Sequence, residues 1–343
     1  MTQLEMIQDY YGKVLSSKDD LKTTACCAAE TIPTYLKGLV SQVHRDVSSR
    51  FYGCGVPIPP NLDGKVVLDL GSGTGRDCFV LAALTGDQGE VIGIDMTDEQ
   101  IAVAQKYEAY HREAMNLKGK LSFRQGFIED LAASGINDST VDVVVSNCVI
   151  NLSPDKEAVF REIFRVLKPG GELYFSDVFC DRRLPQEMQE DKVLLGECLG
   201  GAMYVEDLRR VLVKNGVKDY RIVGSSQLDI TNDDVVAKTG NARFYSKTVR
   251  AFKMDLEDRC EDYGQVAIYK GSLPYFKHGF LLDDHHYFPV GKPIPVCSNT
   301  ADMLTQSRFM QHFEIVGNTE HHYGLFDCNN PVTSEVITTN GCC

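Results

Sequence analysis

Cys54 stands between two glycines in FYGCGVP, Cys148 follows Asn147 in VVVSNCV, and Cys198 precedes the Gly200-Gly201 pair in GECLGGA. Each is a thiol in a segment that a fold can leave open, and a fourth, Cys26, lies in the polar stretch LKTTACCAAET. Thiolates are the preferred ligands of soft, polarisable centres, so three of them could hold one such centre between them. The separations are 94 residues from Cys54 to Cys148 and 50 from Cys148 to Cys198, so only folding can assemble the set. Burial competes with this reading, because a free cysteine is among the residues most often found in a core. Cys78 and Cys180 continue apolar helix and strand patterns and are assigned to the core. Cys260, Cys297 and Cys328 have no motif around them and stay unassigned. The chain holds twelve cysteines but no C-x2-C spacing, and the adjacent pairs Cys26-Cys27 and Cys342-Cys343 are poor chelates for a tetrahedral structural metal.

A second constellation is VLDLGSGTGRDC, which puts Asp69, Gly71, Gly73 and Gly75 where a strand turns into a helix. Glycines there let the backbone turn sharply and approach a ligand, and the helix start offers free N–H donors. The next strand ends at Asp95, whose carboxylate can accept both hydroxyls of an adenosine ribose. A helix cap is the plainer reading of that residue. A nicotinamide enzyme uses a similar turn, but G-x-G-x-G differs from its usual spacing, and no Tyr-x-x-x-Lys or His–Asp arrangement accompanies it.

These residues need a scaffold, and the pattern supplies one. From Lys65, apolar strands alternate with helical stretches: KVVLDLG, RDCFVLAALTG, EVIGIDM, DEQIAVAQKYEAYHREAM, LSFRQG, VDVVVSN, PDKEAVFREIFRVLK and GELYFSDV. Such βαβ alternation implies a parallel sheet with right-handed crossovers and helices on both faces. Residues 1–60 read as a helical N-terminal arm, with amphipathic helices over 2–18 and 33–50. Residues 61–180 read as the Rossmann-like domain. Residues 181–254 read as helices interrupted by Gly200-Gly201, followed by two strands that complete that domain. Residues 255–343 read as a small β-rich C-terminal domain ending in a mobile Cys-Cys tail. No run of about 18 apolar residues is present, which argues against a membrane span. The start carries Glu5 and Asp9 rather than a basic-then-apolar block, so it does not read as a secretory signal. The net charge of −13 argues against a nucleic-acid backbone as partner. A cytoplasmic monomer acting on a small molecule is the expectation.

The Gly-rich turn with Asp95 resembles the class I methyltransferase fold over about residues 62–180. That likeness implies S-adenosylmethionine as cofactor, with Asp69 near the methionine amino group and Gly71, Gly73 and Gly75 along the methionine end. It implies Asp95 on the ribose, Met96 against the adenine, Ile128 and Glu129 at the adenine edge, and Asn147 beside the sulfonium. Tyr52 would stack at the methionine end, or merely pack.

Taken with the cysteine segments, YYGKVL, FYGCGVPIP, GIDMT, VVSNCVINL, VLKPGGELYFSDV and GECLGGA make the chain similar to the arsenite methyltransferase family over about residues 5–255. The resemblance implies arsenic(III) on Cys148 and Cys198, Cys54 as a third thiol and Cys26, or its neighbour Cys27, as a fourth. It implies arsenite and methylarsenite as acceptors, arriving as thiol conjugates. Methyl transfer would oxidise arsenic, with a Cys26–Cys54 disulfide driving its reduction and glutathione or thioredoxin resetting the thiols. Glu197 reads first as a solvated helix residue and second as a proton acceptor. A methyltransferase for a sterol, quinone or small thiol, and a non-enzymatic metalloid-binding protein, are the competing readings.

Overall fold

The computed structural model of the chain describes residues 3–10 and 32–328. Cys26, Cys27 and the Cys-Cys tail lie outside the described residues. The N-terminal arm contributes α1 (Gln3–Asp9), α2 (Thr34–Val40) and α3 (Arg45–Ser48). The helix expected over 33–50 is therefore two helices. The break falls where His44 adopts extended backbone, accepts the Asp46 N–H on its ring and donates its own N–H to His111 Nε2 at 3.0 Å. A capping residue starts a new helix here, and amphipathic periodicity alone does not reveal it.

The parallel strands are β1 (Val66–Leu70), β2 (Glu90–Asp95), β3 (Lys120–Gln125), β4 (Val141–Asn147) and β5 (Leu167–Cys180). Between them run α4 (Arg76–Thr85), α5 (Asp98–Ala114) and α6 (Lys156–Val166). The chain then adds α7 (Gln186–Gln189), α8 (Lys192–Gly196), a two-residue β6 (Met203–Tyr204) and α9 (Val205–Lys214), followed by β7 (Tyr220–Gln227), α10 (Asp233–Thr239) and β8 (Phe244–Phe252). The sheet order is β3-β2-β1-β4-β5-β8-β7, with β6 on the end of β5, and β8 alone runs antiparallel to its neighbours. Val143, Val144 and Val145 are all buried, as expected of a strand covered on both faces. One apolar cluster fills each face, and a third gathers Ile7, Cys54, Cys148, Leu152, Cys198 and Leu199 above the strand ends.

Beyond Met254 come β9 (Glu261–Asp262), β10 (Val266–Tyr269), β11 (Gly279–Asp283), β12 (His286–Pro289), β13 (Pro293–Pro295), α11 (Ser298–Thr305), β14 (Phe313–Val316) and β15 (Gly324–Leu325). These form small antiparallel sheets around their own core of Tyr269, Phe280, Phe288, Phe309 and Phe313. A buried ionic joint ties this region to the main sheet. Glu172 on β5 pairs with Arg250 on β8 and with Arg308 from the C-terminal region, and all three side chains are buried. Arg250 also donates to the Leu282 carbonyl, and Arg308 Nε to the Pro60 carbonyl at 3.1 Å. No helix of the described residues is long and apolar enough to cross a membrane.

Candidate active site

The C-terminal ends of β1, β2 and β4 open into a cavity, the place where open α/β sheets bind ligands. Tyr52, Asp69, Gly71, Gly73, Asp95, Met96, Ile128, Glu129, Asn147 and Cys148 all line it. Gly75 does not. It sits at the start of α4 with φ 86°, and a Cβ there would meet Phe123 at 2.8 Å, so its glycine serves helix packing. Gly71, at φ 69°, meets the Val149 side chain where its own would be, which needs a glycine on both counts.

The charges around the cavity suit a bound adenosyl amino acid. Burial pushes Asp69 well above the usual carboxylate range, and repulsion from Asp77 adds to this, while a hydrogen bond from the Cys78 thiol at 3.1 Å opposes it. A cationic amino group placed between Asp69 and Asp77 would relieve both effects. Burial likewise raises Asp95, whose two oxygens accept the Thr97 and Gly73 N–H groups at 2.8 Å each. Asp95 is thus not the cap of α5, a position taken by Thr97. Ile128 both lines the cavity and belongs to the core, whereas Met96 is only partly buried. Glu129 accepts a short hydrogen bond from Ser153. The donors, the two carboxylates and the apolar wall fit S-adenosylmethionine. Helix α1 completes the wall, with Leu4 and Ile7 lining it and Gln8 donating to the Met96 carbonyl at 2.9 Å.

Asn147 has a positioning part that its place in the sequence did not reveal. Its amide donates to the Gly55 carbonyl at 2.9 Å and to Asp77 at 3.2 Å, and its oxygen accepts the Gly55 N–H at 3.3 Å. It thereby clamps the Cys54 loop onto the end of β4. Gly53 allows this approach, since a Cβ there would meet Asn147 at 2.7 Å and Phe51 at 2.4 Å. Phe51 in turn lies under the Arg76 guanidinium, 3.1 Å from the ring centroid.

Of the three expected thiols, Cys148 lines this cavity, and Cys54 and Cys198 each contact Cys148. Cys54 and Cys148 are joined by a disulfide, with Cα atoms 5.9 Å apart. The Cys198 thiol donates to the Cys148 carbonyl at 3.5 Å. Cys148 and Cys198 both adopt left-handed backbone, φ 57° and 59°, which is uncommon for a side chain other than glycine and a recurrent mark of functional positions. The structure bonds Cys54 to Cys148, whose loops meet across Asn147, while Cys26, the expected redox partner of Cys54, lies outside the described residues. One expectation needs correction. Glu197 is fully buried rather than solvated, in contact with Tyr10 of the N-terminal arm at 3.5 Å.

Sequence reading also missed Asp177. Its carboxylate lies within 4.8 Å of the Cys54 and Cys148 sulfurs, and among the described residues no other group of three potential ligands is so close. It accepts the Val178 and Asn151 N–H groups at 2.8 and 3.1 Å, yet burial still pushes it up to about 7. The only sequence signal was its place in YFSDV, near the open end of the fifth strand.

With this geometry in view, comparison with known proteins is informative. Residues 61–216 match the family described as a methyltransferase domain, and residues 256–341 match a domain of unknown function. The arsenite methyltransferase of Aquipseudomonas alcaligenes is 54% identical over 94% of this chain and 93% of its own length. That of Homo sapiens is 40% identical over 98% of this chain and 86% of its own. This chain belongs to the arsenite methyltransferase family. A crystal structure of an arsenic(III) S-adenosylmethionine methyltransferase from Chlamydomonas reinhardtii, 47% identical, superposes with a TM-score of 0.82 and covers 87% of this chain and 100% of that one. Cys78 sits in the family fold as a core residue that also touches Asp69, and Cys180 is buried against Asp181 at 3.6 Å.

Proposed function

We propose that the chain transfers methyl groups from S-adenosylmethionine to trivalent arsenic, arsenite first and methylarsenite next, held by cysteine thiolates. The observation that carries this reading is that Cys148 lines a cavity whose carboxylates suit the cofactor, with Cys54 bonded to Cys148 and Cys198 against the Cys148 carbonyl. S-adenosylmethionine supplies an electrophilic methyl group.

Asp69 and Asp77 receive the amino group, Asp95 the ribose hydroxyls, and Met96 and Ile128 the adenine. Cys54, Cys148 and Cys198 exchange with the thiols or hydroxyls of arsenite, leaving the arsenic lone pair free. Asp177 accepts the proton of an incoming thiol and passes it to the hydroxyl or thiol that departs from arsenic, a task suited to a carboxyl poised near neutrality. Holding the lone pair in line with the methyl group does most of the catalysis, since little acid–base work remains. The transfer oxidises arsenic by two electrons. Cys54 and Cys148 return them when their thiolates join in a disulfide. Glutathione or thioredoxin reopens that bond by thiol exchange. Methylarsenite has one ligand position fewer, so Cys148 and Cys198 suffice for the second round.

The test is incubation of the protein with arsenite, a thiol reductant and methyl-labelled cofactor, followed by product identification. Labelled mono- and dimethylated arsenic is expected. Label on a sterol or quinone with arsenite untouched would move the acceptor elsewhere. Tight arsenite binding without cofactor consumption would make the protein a metalloid binder.

A further inference from the structure

A second group of thiols lies outside the methylation site. Cys260 precedes β9, Cys297 caps the N-terminus of α11, and Cys328 follows β15. Pairing of β15 with β9, and the Phe326 N–H to Cys260 carbonyl bond at 2.8 Å, bring the last of these beside the first. Asn299, two residues after Cys297, donates to the Arg259 carbonyl at 3.5 Å, which sets the start of α11 beside Cys260, although the three sulfurs do not all lie within 4.8 Å of one another. Cys297 is fully buried, while Cys260 and Cys328 are partly exposed.

The surroundings of Cys297 favour the thiolate. Its hydrogen bond from Cys260 lowers it most, with the Arg221 guanidinium at 3.8 Å and the Thr300 hydroxyl at 3.3 Å adding to the effect. Arg221 is itself buried, braced by Asp219 at 2.7 Å and Asp283 at 3.5 Å, and its Nε has no hydrogen-bond partner among the described residues. A built cation therefore faces Cys297, and the paired ends of β9 and β15 bring Cys260 and Cys328 alongside. None of these residues lines the cofactor cavity.

We propose that Cys260, Cys297 and Cys328 form a second binding site for trivalent arsenic, distinct from the site of methylation. The choice of ligand rests on the proposed function, which makes arsenite the thiophile this chain meets. A divalent cation such as zinc is opposed by Arg221, which repels it. Trivalent arsenic bound to three thiolates is neutral and carries no such penalty. Capture closes the row of three sulfurs into a triangle by rotation of the two partly exposed side chains. Three As–O bonds break and three As–S bonds form, and the thiol protons leave with the hydroxyls as water. Where Cys297 is already a thiolate, the hydroxyl it displaces takes its proton from solvent. Arsenic remains trivalent throughout, so no oxidant or reductant is needed.

The full chain, reduced with a phosphine and given arsenite without cofactor, is passed through gel filtration, and bound arsenic per chain is measured. C260S and C328S should each bind one equivalent less than wild type, and both should methylate arsenite within about twofold of it. C148S should lose a different equivalent, so that C148S/C260S loses both. Equal arsenic content in wild type, C260S and C328S overturns the proposal. So does stoichiometric zinc uptake that C260S abolishes while arsenite content stays unchanged. Circular dichroism of the two variants establishes that they are folded. Absence of methylation in wild type, with the Cys260-dependent equivalent still present, would count against the proposed function and not against this site.

Discussion

The molecule holds two groups of three cysteines in opposite electrostatic settings. Cys54, Cys148 and Cys198 sit among Ile7, Leu152 and Leu199, with the Asp177 carboxyl within 4.8 Å of the first two sulfurs. Cys260, Cys297 and Cys328 sit beside the Arg221 guanidinium, which is held by two carboxylates. A carboxylate next to a thiol favours its neutral or disulfide form, whereas a cation favours the thiolate. The first group thus suits a cycle in which sulfurs bind, join and are released. The second suits capture. Burial alone does not make a thiol reactive, since Cys78, also fully buried, fills the core and touches Asp69.

The largest effect should come from setting one group against the other. C198A should lower kcat/KM for both arsenite and methylarsenite by at least about 100-fold, because the ligand that fixes the lone pair is gone. C297S should change it by no more than about twofold. Steady-state assays on both substrates decide this, and comparable losses in the two variants would erase the contrast.

The joint between the regions comes next. E172A leaves Arg250 and Arg308 buried without their carboxylate and should cost about 3–5 kcal/mol in denaturant unfolding. A loss under about 1 kcal/mol would mean that the Glu172 carboxylate adds little to the hold between the two regions.

A third measurement sharpens the electrostatic half. Subtracting the thiolate absorbance titration of C297S from that of wild type isolates Cys297. Its midpoint should fall at least about one unit below the ordinary thiol value of about 8.5. A midpoint at or above that value would dissolve the distinction between the groups.

The smallest effect concerns Asp177. Its value of about 7 predicts methylation rates that rise with pH through neutrality, as the carboxylate becomes able to accept a proton. D177N should flatten that rise and slow turnover about tenfold at pH 8. Stability has the opposite sign. An acid raised above its unfolded value contributes most below about pH 4 and loses that contribution as pH rises through 7. D177N should remove this slope, and an unchanged slope would assign it to another group.

Much of this was legible because local pattern and fold agree. The run VVLDLGSGTGRDC fixed a strand, a turn and a helix, and with them Asp69, Gly71 and Gly73. Asp95 could be placed because the strand end EVIGID leads straight into the next helix. What stayed hidden depends on distant pieces of chain. The Cys54–Cys148 bond joins residues 94 apart, and spacing carries no information about pairing. Asp177 and Asp77 are single carboxylates in apolar elements, and their importance comes only from what folding sets opposite them. Glu197 was read as solvated because the N-terminal arm that buries it is remote in sequence. The grouping of Cys260, Cys297 and Cys328 likewise depends on a two-residue strand pair that leaves no periodic trace.

The Glu172–Arg250–Arg308 joint has a practical consequence for anyone who would shorten this chain. Arg308 bonds the Pro60 carbonyl, and its own carbonyl accepts the Asn61 side chain at 2.6 Å, so the region after Met254 grips the chain where the first strand is about to begin. A truncation after the last strand of the large sheet would strip Arg308 from Glu172 and the Leu282 carbonyl from Arg250, and would uncover Phe252. The methyl-transferring part is therefore not a portable module, and grafting its pocket elsewhere means carrying the C-terminal buttress with it.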